Sequence, residues 1–282
     1  MQLFCFGYGY SAAALAKHLS PVDLSVAGTR TSIAEPAPGV RLAEFRGDAA
    51  SPEARALLAG TTHMLASIPP DLEGDVVLRH HAADIAALPD LAWVGYLSTI
   101  GVYGDWQGQW VDETSPARPV SERSLRRLRA EREWLAFAGE AGKRVEIFRL
   151  AGIYGPGRSV IDHLRAGTAR RIVKPGQVFN RIHVDDIARV LAAAIAAAAR
   201  HTIFNVSDDA PAPPQDVVAY AAELLGLPAP PEIAFEAAGL TSMAASFWAE
   251  NKRVRNTRIK QDLGVELAFP TYREGLRALA AT

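Results

Sequence analysis

Short apolar runs alternate with longer amphipathic segments through the first two thirds of the chain. The apolar runs, each of four to six residues, occupy positions 3–6, 24–28, 40–45, 62–66, 93–97 and 145–150. Helical patterns lie between them, most clearly at 75–88 and 121–138. Apolar strands separated by helices are typical of a parallel sheet that is covered on both faces. The pattern therefore predicts an α/β fold with a doubly wound parallel sheet.

The pattern becomes less regular after residue 157, which favours a smaller lobe built from insertions. Residues 181–188 lead into an alanine-rich helix that ends near Arg200, and residues 202–206 form another strand. A helix is predicted at 215–225, an extended segment at 229–235, and a basic segment at 251–264 that ends in a helix C-cap glycine. We therefore divide the chain into residues 1–155, a core whose glycine-rich turn at 7–12 predicts nucleotide binding, and residues 156–282. The second part completes the core at about 180–206 and forms a small C-terminal substrate lobe.

A glycine-rich turn, Gly7-x-Gly9-x-x-Ala12, joins the first predicted strand to the first helix. In a Rossmann-type dinucleotide site the first glycine permits the turn, and the second lets the backbone approach a pyrophosphate. A small third residue keeps the helix close to the strand. The first N–H groups of the helix, with the positive end of its dipole, would hold the phosphates. The predicted binding residues of this turn are Gly7, Tyr8, Gly9, Tyr10, Ser11 and Ala12.

The end of the second predicted strand decides which nicotinamide cofactor is expected. An acidic residue there would bind the ribose 2′-hydroxyl of NAD, whereas an arginine suits the 2′-phosphate of NADP. The chain carries Thr29 and Arg30 at this point and no carboxylate. We therefore expect NADP rather than NAD, with an ordinary surface arginine as the alternative interpretation of Arg30.

Composition and charge exclude several classes of protein. Apolar residues make up 49% and charged residues 22% of the 282 residues, and the formal net charge is −1. These values are typical of a globular protein and give no electrostatic basis for binding nucleic acid or an anionic membrane. The single cysteine, Cys5, lies within the first apolar run, so we expect it to be buried. No positively charged leader is recognisable, and we expect a cytoplasmic protein.

Four segments, spread over nearly the whole chain, resemble motifs of a known group. They are the glycine turn at 7–12, Ser98-Thr99-Ile100-Gly101-Val102-Tyr103-Gly104-Asp105, Arg149-Leu150-Ala151-Gly152-Ile153-Tyr154-Gly155-Pro156-Gly157-Arg158, and Arg181-Ile182-His183-Val184-Asp185-Asp186. In order and spacing the chain resembles an atypical member of the extended short-chain dehydrogenase/reductase superfamily, the NAD(P)-dependent epimerases and dehydratases. The resemblance implies an NADP-dependent oxidoreductase or epimerase that acts on a sugar nucleotide or a related carbonyl compound.

The resemblance also implies a catalytic Ser or Thr, a Tyr and a Lys four residues after the Tyr. Thr99 falls at the hydroxyl position, with Ser98 beside it, whereas Arg123 and Arg127 stand at the Tyr and Lys positions. Arg127 can supply charge and donors to a ribose, but Arg123 cannot replace a phenol because it stays protonated. Further cofactor-binding residues are predicted at the strand ends, namely Ser67, Ile68, Pro69, Leu97, Ser98, Ala151 and Ile153, together with Arg127 on the helix at 121–138.

The missing phenol leaves two interpretations open. In one, another group such as Tyr103 or Tyr154 supplies the proton. In the other, the protein binds NADP without turnover, as a regulator or redox sensor. His183 is assigned a structural role at a helix start, with an acid–base role as the alternative. Lys252, Arg253 and Arg255 are candidates for binding an anionic substrate such as a nucleotide diphosphate, with a solvated basic turn as the alternative.

The remaining expectations concern metals and partners. No metal site is proposed, because the His80-His81 pair has no companion ligands at suitable spacing. The predicted partner is a small molecule, in particular a nucleotide sugar. A homodimer formed through the helices at 75–88 and 121–138 follows from the family resemblance.

Overall fold

The computed structural model describes residues 1–20, 23–35, 37–197 and 200–282. The strands are β1 (Gln2–Phe6), β2 (Ser25–Arg30), β3 (Val40–Glu44), β4 (His63–Ala66), β5 (Trp93–Thr99), β6 (Trp110–Val111), β7 (Val145–Leu150), β8 (Gly152–Tyr154), β9 (Arg171–Val173), β10 (Arg181–His183), β11 (Ile203–Val206), β12 (Glu232–Ala234) and β13 (Arg253–Val254). The helices are α1 (Tyr10–Leu19), α2 (Pro52–Leu58), α3 (Val76–Ala86), α4 (Glu122–Ala141), α5 (Val160–Arg165), α6 (Val184–Ala196), α7 (Pro214–Leu224), α8 (Ser242–Trp248), α9 (Thr257–Gln261) and α10 (Tyr272–Ala280). Short 3₁₀ turns lie at Ile100–Tyr103 and Phe235–Ala237.

The central sheet of the described residues has seven strands in the order β3-β2-β1-β4-β5-β7-β11. All neighbouring pairs in it are parallel. The chain builds outward from β1 to one edge and then from β4 to the other, so the strand order reverses between β1 and β4. Ligands of such sheets bind outside the carboxyl ends of the strands at this reversal. The predicted α/β, doubly wound Rossmann-type fold is confirmed.

Both faces of the sheet are buried beneath helices. On one face Leu15 of α1 and Ile187 of α6 pack over β1, β5 and β7. On the other face Leu58 of α2, Val77 of α3 and Trp134 of α4 cover the same strands. Because each strand is covered twice, nearly every β5 and β7 side chain is buried, which explains why both strands are mainly apolar. The charged exceptions in β7, Glu146 and Arg149, are buried and paired with other charged groups.

Helix starts follow the local sequence. Ser51 caps α2 by accepting a hydrogen bond from the Ala54 N–H group at 3.2 Å, and Pro52 follows it. Asp75 caps α3 in the same way, with one carboxylate oxygen 3.0 Å from the amide nitrogens of Val77 and Leu78. These caps fix where the covering helices begin, and so how they meet the sheet.

The residues beyond α5 form short strand pairs and helices beside the carboxyl ends of the main strands. β10 pairs with β8, β12 with β9 and β13 with β6, each in parallel. A separate apolar cluster here includes Tyr154, Leu164, Val217 and Leu276. β11 extends the main sheet, while the predicted boundary at residue 155 stays a prediction.

Two comparisons with the sequence concern the helices. α6 is described to Ala196, and residues 198–199 of the helix predicted to end near Arg200 lie outside the described residues. Helices α5, α8 and α10 were not predicted. Within residues 1–20, 23–35, 37–197 and 200–282, no helix has the length and apolar character that crossing a bilayer requires.

Candidate active site

The glycine turn lies at the carboxyl end of β1, next to the end of β4. Gly7 has φ +87°, and a Cβ at this position would lie 2.7 Å from Ser67 Oγ and 3.0 Å from Ile68 Cγ1. Only glycine fits this conformation and this close approach. Ser67 Oγ in turn donates to the Gly7 carbonyl oxygen at 2.6 Å, which holds the turn against the next strand.

The space beyond the turn is suited to a pyrophosphate. A Cβ at Gly9 would meet no atom nearer than the Gly7 carbonyl oxygen at 4.0 Å, so the backbone is open on this side. Gly9 is the N-cap residue of α1, and it has no side chain that could accept a hydrogen bond from the first N–H groups of the helix. The N–H groups of Tyr10, Ser11 and Ala12 make no hydrogen bond within the described residues. Unpaired amides at the positive end of a helix dipole are a binding site for phosphate oxygens, so the residues present fit a dinucleotide.

Thr29 and Arg30, at the end of β2, both form hydrogen bonds with the glycine turn. Thr29 Oγ1 accepts from the Gly7 N–H group at 3.0 Å. Arg30 Nε donates to the Tyr8 carbonyl oxygen and Nη1 donates to the Glu35 carbonyl oxygen, both at 3.0 Å. The guanidinium is therefore held beside the turn, at the strand end where the adenosine ribose is expected.

The hydroxyls of Ser98 and Thr99 at the end of β5 have different surroundings. Thr99 is half-buried, and its Oγ1 accepts from the Gly101 N–H group at 3.1 Å, which leaves its own O–H proton free to donate. Ser98 is buried and donates to Glu131 Oε1 at 2.5 Å. Both residues line the cavity described below, but only Thr99 has a hydroxyl that is not already committed to a carboxylate.

Tyr103 belongs to a buried polar network beneath β5 and β7. Its hydroxyl donates to Asn205 Oδ1 at 2.8 Å and accepts from Arg149 Nη1 at 3.0 Å. Arg149 also pairs with Glu131 at 2.7 Å. The Tyr103 side chain is fully buried and does not line the cavity. The structure therefore does not support Tyr103 as a proton-transfer residue, because its hydroxyl is enclosed and is already both donor and acceptor.

The two arginines at the expected Tyr and Lys positions both line the cavity. Arg127 Nη1 donates to Tyr96 Oη at 3.0 Å and to the Leu97 carbonyl oxygen at 2.9 Å, so its guanidinium reaches from α4 to the end of β5. Arg123 stacks on Phe247 of α8, with its guanidinium carbon 4.1 Å from the ring centre. Arg123 therefore joins the core to the C-terminal lobe.

Tyr154 and His183 are packed away from solvent. The hydroxyl of Tyr154 is directed at α10, since a Cβ at Gly275 would lie 2.1 Å from it, and burial raises the pKa of Tyr154. His183 Nδ1 accepts from the Asp185 N–H group at 3.2 Å and caps α6, while burial lowers its pKa. A neutral imidazole at a helix start matches the structural role assigned to His183 from the sequence.

One cavity of about 940 Å³ connects these parts. Of the predicted site residues, its wall includes Gly9, Tyr10, Ser11, Ser67, Leu97, Ser98, Thr99, Arg127, Ala151 and Ile153. The other predicted residues, Gly7, Tyr8, Ala12, Thr29, Arg30, Ile68, Pro69 and Tyr103, lie outside this wall. The cavity thus runs from the phosphate-binding turn to Thr99.

Sequence reasoning missed the part of the cavity wall contributed by α8 and by Glu250. Met243 and Phe247 of α8 are exposed at the cavity, and Glu250 is paired there with Lys252. The sequence does show a group of aromatic and charged residues at 247–253. This group has no helical or strand periodicity, so the sequence does not indicate which part of the fold it contacts.

The family to which the chain belongs follows from comparison with known proteins. The model of the NAD dependent epimerase/dehydratase family matches residues 51–207, more than half of the chain. The chain belongs to this family, and the resemblance to extended short-chain dehydrogenases/reductases is confirmed.

Two relatives share substantial sequence with it. Protein YeeZ of Escherichia coli K12 is 33% identical over 178 residues, which cover 62% of this chain and 58% of YeeZ. The match therefore spans less than two thirds of that protein's length. A functionally unknown conserved protein from Silicibacter pomeroyi DSS is 48% identical; its structure superposes with a TM-score of 0.86 and covers 99% of this chain and 98% of its own.

More distant structures share the fold. UDP-glucuronic acid 4-epimerase from Bacillus cereus, in complex with UDP-glucuronic acid and NAD, is 15% identical, with a TM-score of 0.77 over 100% of this chain and 98% of its own. A human epimerase family protein with NADPH is 18% identical, with a TM-score of 0.75 over 100% of this chain and 99% of its own. At these identities the likeness concerns the architecture alone.

Proposed function

We propose that the protein is an NADP-dependent oxidoreductase or epimerase that acts on a sugar nucleotide or a related carbonyl compound. The observation that carries the proposal is the single cavity that joins the unpaired amides of α1 to the free hydroxyl proton of Thr99. A dinucleotide laid along it places its phosphates at a helix N-terminus and its reactive end near a hydrogen-bond donor.

The chain's own residues have separate tasks in this proposal. When bound, the nicotinamide cofactor supplies hydride transfer, which protein side chains cannot perform. The amides of Tyr10, Ser11 and Ala12 bind the pyrophosphate, and Arg127 donates to the ribose from the end of β5. Thr99 Oγ donates to the reacting oxygen and stabilises the charge that develops on it.

The charge of the cavity supports an anionic substrate. Its wall carries five cationic side chains, Arg123, Arg127, Arg158, Arg181 and Lys252, and one carboxylate, Glu250. A nucleotide sugar carries a diphosphate that complements this excess of positive charge. The Bacillus cereus epimerase, which shares only the fold, is in complex with UDP-glucuronic acid, so this architecture accommodates a substrate of that class.

Calorimetric titration of NADPH and NADH tests the cofactor part of the proposal, first on the unaltered protein and then on Arg30→Ala. We expect NADPH to bind more tightly, and Arg30→Ala to weaken it about 10–100-fold, because a hydrogen bond to a charged group contributes about 1.5–3 kcal/mol. NADH serves as the internal reference, since loss of the contact to the Tyr8 carbonyl would weaken both cofactors. Arg41→Ala, an exposed arginine on β3, is the matched control. Equal affinities for NADH and NADPH would refute the choice of NADP.

Arg123 favours a second candidate function, a non-catalytic NADP-binding regulator. The residue at the usual phenol position is a permanently charged guanidinium stacked on Phe247, and it cannot give or take a proton at neutral pH. Screening carbonyl and alcohol substrates by the absorbance of reduced nicotinamide separates the candidates, because any clear turnover excludes the regulator. A homodimer through α3 and α4 and a cytoplasmic location stay predictions of the same proposal.

A further inference from the structure

The cavity needs a proton donor that α4 does not supply. Two phenols, Tyr10 and Tyr154, contribute to its wall. Tyr10 donates its hydroxyl proton to the Pro156 carbonyl oxygen at 3.0 Å, and Tyr154 directs its hydroxyl at the backbone of α10. Burial raises the pKa of both groups, so neither phenol is prepared to exchange its proton with a substrate.

Lys252 brings an ammonium group to the same wall from the C-terminal lobe. The residue is 5% exposed and lines the cavity immediately before β13. Its Nζ donates to the Gly104 carbonyl oxygen at 2.8 Å and to Glu250 Oε2 at 2.5 Å. Gly104 ends the 3₁₀ turn that begins after Thr99, so the ammonium is anchored to the loop that carries the catalytic hydroxyl. These two contacts use two of the three N–H donors of an ammonium, and one remains.

We propose that Lys252 is the acid–base residue of this active site, giving a proton to the substrate oxygen in reduction and taking it back in oxidation. The inference rests on the proposed function. As the carbonyl carbon accepts a hydride from reduced nicotinamide, a C–H bond forms and the carbonyl π pair moves to oxygen. The oxygen takes a proton from Nζ, the carbonyl compound is reduced to an alcohol and the nicotinamide is oxidised. Lys252 is left as a neutral amine, which regains its proton from water.

The surroundings of Nζ suit this task. Burial lowers the pKa of Lys252, and the Glu250 and Asp105 carboxylates oppose that shift without cancelling it. The other charged groups on the cavity wall are the guanidiniums of Arg123 and Arg127 on α4 and those of Arg158 and Arg181, which make the wall positively charged. An ammonium with a lowered pKa is a stronger acid than a lysine in water, and so a better general acid.

Two substitutions separate proton transfer from a merely structural role. Lys252→Arg keeps the positive charge and the hydrogen-bond donors toward Gly104 and Glu250, but its guanidinium cannot deprotonate. Lys252→Met removes the charge, the donors and the transferable proton. With NADPH and a panel of phosphorylated and carboxylated ketones, we expect both variants to lose about 10²–10⁴-fold in kcat, the usual contribution of a general acid. NADPH affinity, measured by calorimetry, should be unchanged in Lys252→Arg. Full kcat in Lys252→Arg overturns the inference and leaves the proposed function standing.

The pH profile gives a second kinetic readout. In reduction, kcat falls as pH rises through the pKa of Lys252, because the donor is then lost. Glu250→Gln removes the carboxylate that stabilises the ammonium, so this fall should move to lower pH. An unmoved profile contradicts the assignment. An unaltered protein that binds NADPH but turns over nothing in the panel defeats the catalytic proposal and this inference together.

A measurement without substrate completes the test. Trace labelling with acetic anhydride across pH reports the neutral fraction of each lysine amine. Lys252 should become reactive at lower pH than Lys17, an exposed lysine on α1. NADPH-free Glu250→Gln protein should show a further shift in the same direction. A labelling profile of Lys252 that coincides with that of Lys17 overturns the inference.

Discussion

Thr99 is the side chain whose chemistry is most narrowly defined by its contacts. Its oxygen accepts from the Gly101 amide, so its proton is directed to another acceptor, and the open cavity lies beside it. The hydroxyl of Ser98, one residue earlier, already donates its hydrogen bond to the buried carboxylate of Glu131. Adjacent hydroxyls on one strand point to opposite faces, which is why only one of the two serves the site.

The first prediction concerns Thr99→Val. Removing a hydrogen-bond donor to developing negative charge should lower kcat by about 10²–10³-fold, with little change in NADPH affinity. Thr99→Ser is the matched control, because it keeps the hydroxyl and should keep most of the rate. If valine and serine variants turn over equally, Thr99 is not part of the mechanism.

Arg149 and Glu131 show how a single pair can support that geometry without touching substrate. The two are buried and bonded at 2.7 Å, and Glu131 also accepts from Ser98. The pair thus ties α4 to β5 and β7 at the level of the site. Removing one partner of such a pair leaves an uncompensated buried charge, so its role is to hold these elements in one arrangement.

At the scale of elements, the 3₁₀ turn after β5 is a closely packed connection. Gly104 ends it with φ +69°, and a Cβ there would lie 1.8 Å from the Arg118 carbonyl oxygen. The same glycine offers its carbonyl to Lys252. The turn therefore sets the distance between the strand end, the loop before α4 and the C-terminal lobe.

The second prediction is that Gly104→Ala destabilises the protein by several kcal/mol, as measured by urea unfolding. A backbone clash adds to the conformational cost at Gly104, whose φ of +69° and ψ of −149° are adopted almost only by glycine and cost about 1–3 kcal/mol for a residue with a Cβ. Gly142→Ala is the control, since that C-cap glycine has φ +62° but no atom within 4 Å of an added Cβ. It should lose only the conformational part. Equal losses in the two variants would contradict the steric argument.

The sequence predicted the elements that depend on local information. The runs at 3–6, 93–97 and 145–150 became β1, β5 and β7 because strands buried on both faces leave a strong apolar signal. The glycine turn was predicted because its residues, Gly7, Gly9 and Ala12, lie close together in the sequence. The three-residue strands β8, β9 and β10 were not, since their pairing partners, not their own pattern, define them.

The candidate site was predictable only in part. Thr99 was predicted from its place at the end of a strand and Arg127 from the family resemblance, and both lie at the cavity. Tyr103 was expected there too, but the 3₁₀ turn rotates it into the interior. The bond between Lys252 and Gly104 joins residues 148 positions apart, which no local pattern reveals.

At the scale of the whole molecule, buried polar groups behind the cavity couple stability to pH. Asp208 follows β11 and is 1% exposed. One carboxylate oxygen accepts from the Ala210 N–H group at 3.1 Å, and the other has no partner within the described residues. Burial raises the pKa of Asp208 to about 8, with Arg181 opposing the shift. The folded protein therefore keeps this proton at neutral pH.

The last prediction follows from that proton. Between about pH 4 and pH 8 the unfolded chain releases the Asp208 proton while the folded chain retains it, so raising the pH favours unfolding. This carboxyl alone contributes a loss of at most about 1.4 kcal/mol per pH unit across that window. Asp208→Asn cannot ionise, and in urea unfolding its stability relative to the unaltered protein should increase steadily from pH 4.5 to pH 8. Taking the difference between the two proteins cancels the contributions of the other carboxylates, so a difference that stays constant with pH would show that Asp208 is ionised in the folded state.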